Sequence, residues 1–377
     1  MPSTAFINEA QSLKDWIIQK ALPFWANIAR DTNGGFYEDL TLSGIPNRDA
    51  IRRVRVQARQ VFVYAQAQRL GWYEGAPIAD KTFKFMREHG YTPDGQDGFV
   101  HLIDSNYTAH DSKRDLYDHA FHALACASLM ECSASKEAVA AKRLNQDILD
   151  FIDIGMGACE GWTEGVPSRL PRRQNPHMHL FETSMALYDA TKEERYLQRA
   201  ARIYHLFESY FFDPVHNIIR EFFDENWAPL KNALGDTAEP GHACEWVWLL
   251  WQYERRSGVN TKSYREALYK TAFANNTLYL NDESDVFGNI RRGTRRLWVQ
   301  TEVIRAHLAM MEAGTHGAED HALTILKSFT ADYLNENGTW NDCFDEAGRM
   351  IAKTIPTSTF YHIMGMVIEA TRLAQLD

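Results

Sequence analysis

The chain has 377 residues, 45% of them hydrophobic and 12% aromatic, which is enough to bury a large core. A formal charge of −10 at pH 7 with no dominant basic face excludes a general nucleic-acid binder. No apolar stretch approaches the roughly 20 residues that span a bilayer, and the N-terminus lacks the basic-then-apolar layout of a signal peptide, so a cytoplasmic protein without membrane contact is expected. The cysteines Cys126, Cys132, Cys159, Cys244 and Cys343 show no paired spacing and are read as reduced, packed thiols.

The first apolar-periodic segment covers about 5–29 and stops at Asn33-Gly34-Gly35, where a short hairpin is predicted. Further helices are predicted near 53–70, 74–89, 115–132, 136–152, 178–192, 194–211, 242–256, 262–276, 296–313, 317–334 and 358–374. Gly-aromatic stretches such as Gly98-Phe99, Gly161-Trp162, Phe287-Gly288 and Gly338-Thr339-Trp340, together with Glu221-Phe222-Phe223, separate alternate pairs and read as small hairpins. Within this series Glu239-Pro240-Gly241-His242-Ala243-Cys244-Glu245 is a helix start, with Glu245 one turn beyond His242 on the same face.

Polar residues begin or interrupt every second helix: Arg59, Tyr117, His179, His242, Glu302 and His362, separated by 58, 62, 63, 60 and 60 residues. Units of about sixty residues, each a helix pair plus a loop, cannot bury their apolar faces alone. Their natural closure is an (α/α)6 barrel, six inner helices within six outer ones, joined by short β-hairpin loops as one domain over 1–377. An open solenoid of helix pairs uses the same period and is the alternative. Inner helices touch neighbours on most sides, which explains why 120–127 and 246–251 are apolar nearly all round. Closure would gather Arg59, Tyr117, Asn175, His179, His242, Glu245, Trp298, Glu302 and His362 at one end of the inner helices, around a concave site.

Other polar residues have structural readings. His119 and His122 are expected to be packed and hydrogen-bonded on an apolar helix, and His177 to serve a helix start beside Pro176. Trp246, Trp248 and Trp251 follow core spacing. The arginines between Arg291 and Arg296 read as a solvated loop or as groups approaching an anionic substrate. Glu182 and Glu302 either reach substrate or bond inner helices together.

The segments Val56-Gln57-Ala58-Arg59-Gln60, Leu116-Tyr117-Asp118-His119-Ala120-Phe121, Gln174-Asn175-Pro176-His177-Met178-His179-Leu180-Phe181-Glu182, the run from Glu239 to Glu245, Arg296-Leu297-Trp298-Val299-Gln300-Thr301-Glu302 and Ser358-Thr359-Phe360-Tyr361-His362 resemble the N-acylglucosamine 2-epimerase superfamily in order and spacing. The resemblance implies an (α/α)6 barrel acting on a free monosaccharide as monomer or homodimer, without metal or nucleotide cofactor in the isomerase branch. It carries the two essential histidines onto His242 and His362, the ligand-holding positions onto Arg59, Tyr117, Asn175, His179, Glu245 and Trp298, and a further inner-helix acid onto Glu302. The forms of the fourth and fifth segments and the compact length favour aldose-ketose isomerases of the D-mannose isomerase type, although Val299 stands where that branch is expected to carry proline.

The chemistry follows from the residue types. Isomerisation and 2-epimerisation both open the sugar ring and remove the C2 proton to give an enediol, a step suited to a base with a pKa near neutrality. One of His242 and His362 is expected to move that proton while the other opens the ring. Glu245 is expected to orient His242, and Arg59 to stabilise charge on the carbonyl oxygen. Reprotonation at C1 gives a ketose and at C2 an epimer, so a sugar 2-epimerase is the alternative. A metal-dependent enzyme using the pairs His179/Glu182 and His242/Glu245, an (α/α)6 glycoside hydrolase and a non-catalytic sugar-binding protein are more distant readings.

Overall fold

The computed structural model describes residues 2–158, 160–275 and 277–376. Among these residues the helices form two concentric rings of six, an (α/α)6 barrel. The inner ring is α3 (Val54–Arg69), α5 (Leu116–Cys132), α7 (Gln174–Thr191), α9 (Pro240–Ser257), α11 (Leu297–Glu312) and α13 (Phe360–Leu373). The outer ring is α1 (Thr4–Trp16) running through a π-helical turn into α2 (Leu22–Ile28), then α4 (Ala76–Gly90), α6 (Lys136–Gly155), α8 (Glu194–Leu206), α10 (Lys262–Ala272) and α12 (Ala318–Tyr333).

Sequence character sorts the rings. In α11 every residue from Val299 to Met310 is buried, whereas α8 buries only a stripe including Tyr196, Ala200, Ile203 and Tyr204. A helix enclosed on all sides needs apolar residues all round; one that faces water on one side needs a single apolar stripe.

The ring closes by an exchange of ends. Each inner helix packs against the outer helix that follows it, except α13, whose outer partner is the N-terminal α1. Trp16 Nε1 donates to the Asn335 carbonyl at 2.8 Å, Trp25 Nε1 donates to Gly338 O at 3.0 Å, and Trp25 stacks on Trp340 with ring centroids 4.4 Å apart. With α13 also packed on α3, the open solenoid is excluded.

The connecting segments differ from the expected local hairpins. Hairpins form at 102–111, 212–219 and 283–292, but the recurrent pairing links the strand before each inner helix to the segment after the next outer helix. Thus Arg52–Arg53 pairs with Leu102–Ile103, Arg114–Asp115 with Gly165–Val166, and Arg172–Arg173 with Phe222–Phe223. Thr237–Ala238 pairs with Glu283–Asp285, Arg295–Arg296 with Cys343–Phe344, and Thr354–Pro356 with Asp39–Thr41, where the belt joins the two ends of the chain.

The residue just before each following segment is Glu38, His101, Glu164, Glu221, Asp282 or Asp342. Its carbonyl accepts the N–H of one inner-helix start in five of these among the described residues: Thr357 to Glu38, Val54 to His101, Leu116 to Glu164, Gln174 to Glu221 and Leu297 to Asp342. Its side chain then reaches the next inner helix. Glu38 takes Arg53, His101 takes Asp118, Glu164 takes Arg173 and Asp342 takes Thr359. Each such residue staples two neighbouring helix entrances and supplies acceptors to N–H groups that no helix can satisfy internally.

The helix starting with Gln174 begins four residues before its predicted start because Pro176 falls in the first turn, where its missing N–H costs nothing. His119 is packed and hydrogen-bonded and His177 serves its helix start, as expected: Nδ1 of each bonds the carbonyl before its helix, and Nε2 accepts a loop N–H, from Phe99 at 3.0 Å and from Trp162 at 3.2 Å. His122 departs from expectation, since it is buried and stacked on Phe99 but neither ring nitrogen has a hydrogen-bond partner. Cys126, Cys132, Cys244 and Cys343 are free thiols; Cys159 lies outside the described residues. No helix among the described residues is long and apolar enough to cross a membrane.

Candidate active site

The inner helices present polar residues to the barrel axis in layers. The second residue of each, counted for the last from the 3-10 turn Thr357–Thr359 that leads into α13, is Arg55, Tyr117, Asn175, Gly241, Trp298 or Ser358. The sixth is Arg59, Phe121, His179, Glu245, Glu302 or His362. Two layers four residues apart lie one above the other on a helix face. His242, the third residue of its helix, stands beside the upper layer. The nine residues expected from the sequence are thereby gathered at one mouth.

Contacts run round both layers. Arg59 donates to the Tyr117 hydroxyl at 2.8 Å, and its guanidinium lies 4.2 Å from the Phe121 ring centroid. Phe121 packs on His179 at 4.6 Å between centroids, and His179 Nδ1 stands 3.8 Å from Glu245 Oε1. Trp298 lies between the two candidate catalytic histidines, its ring centroid 5.4 Å from that of His242 and 5.7 Å from that of His362. Gly241 makes that position possible: a Cβ there would come within 2.8 Å of the Trp298 indole.

The histidines sit in opposite electrostatic settings. His242 Nδ1 donates to Glu221, 3.1 Å from each carboxylate oxygen, while Nε2 meets the Asn175 amide at 3.2 Å. Burial alone would disfavour the imidazolium, but Glu221, Glu239 and Glu245 outweigh it and push the His242 pKa up to about 10. An imidazolium Nε2–H needs an acceptor; turning the Asn175 amide over would supply its Oδ1, which has no other partner. His362 Nδ1 donates to Glu302 at 2.9 Å. Burial, then the positive field of Arg59 and the neighbouring His179 and Arg305, hold His362 well below the ordinary histidine value. That leaves a neutral ring with its Nδ1 proton fixed and the Nε2 lone pair open, the form of a base.

Two expectations are corrected. Glu245 does not orient His242; Glu221 does, because His242 in the first turn turns toward the belt while Glu245, one turn on, faces the axis. Burial and the nearby Glu302 and Glu182 keep the Glu245 carboxyl well above the usual carboxylate range, and its Oε1 has no hydrogen-bond partner. Glu302 is fully buried and divided between His362 and Arg305, which donates to it at 2.8 Å, so it bonds inner helices together rather than facing a ligand. Glu182 does the same, accepting from Tyr361 at 2.5 Å and His179 at 3.2 Å. The arginines of 291–296 are pinned in place: Arg291 on Ala233 O, Arg292 on Glu283, Arg295 on Asp345 O and Arg296 on Asp282.

Two clusters bring metal-ligating atoms within 4.8 Å of one another, His179 with Glu182 and Glu245, and His242 with Glu221 and Glu239. In the first, Arg305 already stands 3.7 Å from Glu182, a cation where a metal's charge would have to go.

The family model for N-acylglucosamine 2-epimerase matches residues 35–366. A Rhizobium meliloti (strain 1021) protein named mannose-6-phosphate isomerase is 33% identical over 378 residues, spanning 96% of each chain. The D-mannose isomerase of Marinomonas mediterranea is 24% identical over 388 residues, covering 95% of this chain and 96% of its own. The solved structure of cellobiose 2-epimerase from Spirochaeta thermophila superposes with a TM-score of 0.87 at 22% identity over 99% of both chains, which shows a shared fold.

Proposed function

The chain belongs to the N-acylglucosamine 2-epimerase family and is a sugar isomerase or epimerase, and from that assignment we propose that it interconverts D-mannose and D-fructose through a cis-enediol, with His362 as base and His242 as acid. The observation that carries the proposal is the opposed electrostatic setting of two histidines on either side of Trp298, His242 among carboxylates and His362 buried beside cations.

His362 Nε2 takes the C2 proton of the open-chain aldose while the His242 imidazolium gives a proton to the carbonyl oxygen O1, forming the enediol. His242 then recovers a proton from the O2 hydroxyl as His362 delivers its proton to C1, which leaves the ketose and returns both rings to their starting states. Arg59, whose polar partners are a phenol and a backbone carbonyl, is free to stabilise developing charge on oxygen. Tyr117 and Trp298 offer faces to the sugar, and Asn175 and His179 offer polar atoms to its hydroxyls.

A neutral sugar suits this mouth better than a phosphorylated one, since Arg53, Arg173 and Arg296 around it are each held on carboxylates. The name of the 33% identical relative favours mannose 6-phosphate as a second reading. The test is NMR of EDTA-treated protein with D-mannose in deuterated water, with D-mannose 6-phosphate in parallel. Fructose without glucose is expected. Glucose as main product would move the chain to the 2-epimerases, and turnover of the phosphate ester alone would replace the substrate assignment.

A further inference from the structure

Below the two catalytic layers lies a third, the ninth residue of each inner helix, which includes Glu182, Trp248 and Arg305. Beneath it, at the C-terminal ends of the inner helices and so at the mouth opposite the histidines, opens a cavity of about 430 Å³. Its wall carries Arg69, Lys192, Arg256 and Arg372. The four carboxylates of the same wall each have a donor: Asp189 has Arg256 at 2.5 Å and Lys192 at 3.6 Å, Glu369 has Arg372 at 2.8 Å, Glu131 has Gln66 Nε2 at 3.4 Å, and Glu182 has Tyr361 at 2.5 Å.

What is left unengaged is donors. Gln252 Nε2, Trp248 Nε1 and Arg305 Nε line the cavity without a hydrogen-bond partner among the described residues, and Gln252 and Arg305 are only 4% and 2% exposed. A buried donor without an acceptor is costly, and three on residues that line one cation-rich cavity call for an oxygen-rich acceptor. We propose that this cavity binds a small polyanion, a metabolite carrying phosphate or carboxylate oxygens, at a site separate from the catalytic mouth. Amide and indole donors and the Arg305 guanidinium at the floor fix its oxygens, and although the rim cations are paired, the lining's arginines and lysine, Arg69, Lys192, Arg255, Arg256, Arg305 and Arg372, outnumber its four acids. The site does not depend on which sugar reaction runs at the other mouth, although Arg305, which also holds Glu302 at 2.8 Å, is shared by both.

Isothermal titration of the full chain with inorganic pyrophosphate tests it, using wild type, the double variant Trp248→Phe/Gln252→Met, Lys192→Met, and Arg59→Met at the catalytic mouth. One site per chain is expected, weakened about tenfold or more in the double variant through loss of hydrogen bonds to a charged acceptor. A smaller weakening is expected in Lys192→Met and no change in Arg59→Met. Absence of wild-type binding at millimolar pyrophosphate would overturn the proposal. So would binding that survives in the double variant or disappears in Arg59→Met, because the anion would then sit among the catalytic residues. Should the double variant fail to fold, unchanged affinity in Lys192→Met, whose side chain is 70% exposed, overturns the proposal by itself.

Discussion

Replacing Glu221 with glutamine removes one charge and keeps the shape, so it isolates what the carboxylate does for His242. At an effective dielectric constant of about 20, opposite unit charges 3.1 Å apart attract by about 5 kcal/mol, or about 4 pH units at about 1.36 kcal/mol per unit. That is an upper figure, because Glu239 and Glu245 remain and the amide oxygen still accepts from Nδ1. A fall of about 2 units or more in the His242 pKa is therefore expected. The sign follows from the raised value: the acid form of His242 is complete below the ordinary histidine pKa of about 6.5 and is lost as pH rises through about 10. His362, held low, stays neutral down to well below 6.5. Wild-type kcat/KM should thus be flat from the weakly acidic range to near pH 10, and Glu221→Gln should bring the alkaline limb down to about 8 or lower with its acid limb unmoved. Initial rates of ketose formation from pH 5 to 11 measure this. An alkaline limb still near 10 in an active Glu221→Gln enzyme would refute the role of Glu221 and the acid assignment of His242 with it.

His362→Ala and His242→Ala should each lower turnover by about 10³-fold, the span of one general acid or base, with the fold retained; near-wild-type activity in either would remove that residue from the mechanism. Activity should survive exhaustive EDTA dialysis, whereas loss that divalent cations restore would turn the His179, Glu182 and Glu245 group into a metal site. Gly241→Ala should displace the Trp298 indole from between the histidines and cost about 10²-fold in kcat/KM, and an active variant with unchanged Trp298 fluorescence would contradict the packing. Gln57→Ala strands both the N–H and the carbonyl of buried Phe36 and should destabilise by about 2–4 kcal/mol in urea unfolding.

The barrel was legible because its period is enforced by burial: each helix pair repeats the same apolar demand, and loop length varies little enough for the spacing to survive. The candidate site was legible to the extent that its residues ride on inner helices. Even so, the marker residues are not equivalent. Tyr117 is the second residue of its helix, His242 the third, and Arg59, His179 and Glu302 the sixth, so the even spacing hid a register that only the helix starts reveal. Glu221 was out of reach of helical periodicity because it lies on the belt. The signal that could have found it is the acid directly before five of the six belt segments: Glu38, Glu164, Glu221, Asp282 and Asp342, each heading a short extended stretch. The low pKa of His362 was only partly legible, since burial on an inner helix is its first cause but the further lowering comes from Arg59, His179 and Arg305 on three other helices.

That belt position explains how a repeated frame comes to hold one reactive group. At three entrances the acid faces an arginine: Glu38 with Arg53, Glu164 with Arg173 and Asp282 with Arg296. A guanidinium stays charged at any working pH, so these pairs are static staples. At the fourth unit the helix starts with Pro240-Gly241-His242, and the same geometry delivers Glu221 to an imidazole. The carboxylate that elsewhere only fastens a helix entrance here decides whether a ring nitrogen keeps its proton. The Pro-Gly pair serves both ends of this substitution: proline starts the helix without needing an N–H acceptor, and glycine leaves the space that Trp298 fills. His362 is prepared the other way, with a buried acid on Nδ1 but burial and the cations Arg59 and Arg305 on the two flanking inner helices disfavouring its protonated form. On the proposed mechanism, two histidines of one barrel become an acid and a base through burial and the charges their neighbours carry, and exchanging those charges should exchange the limbs of the pH profile rather than unfold the protein.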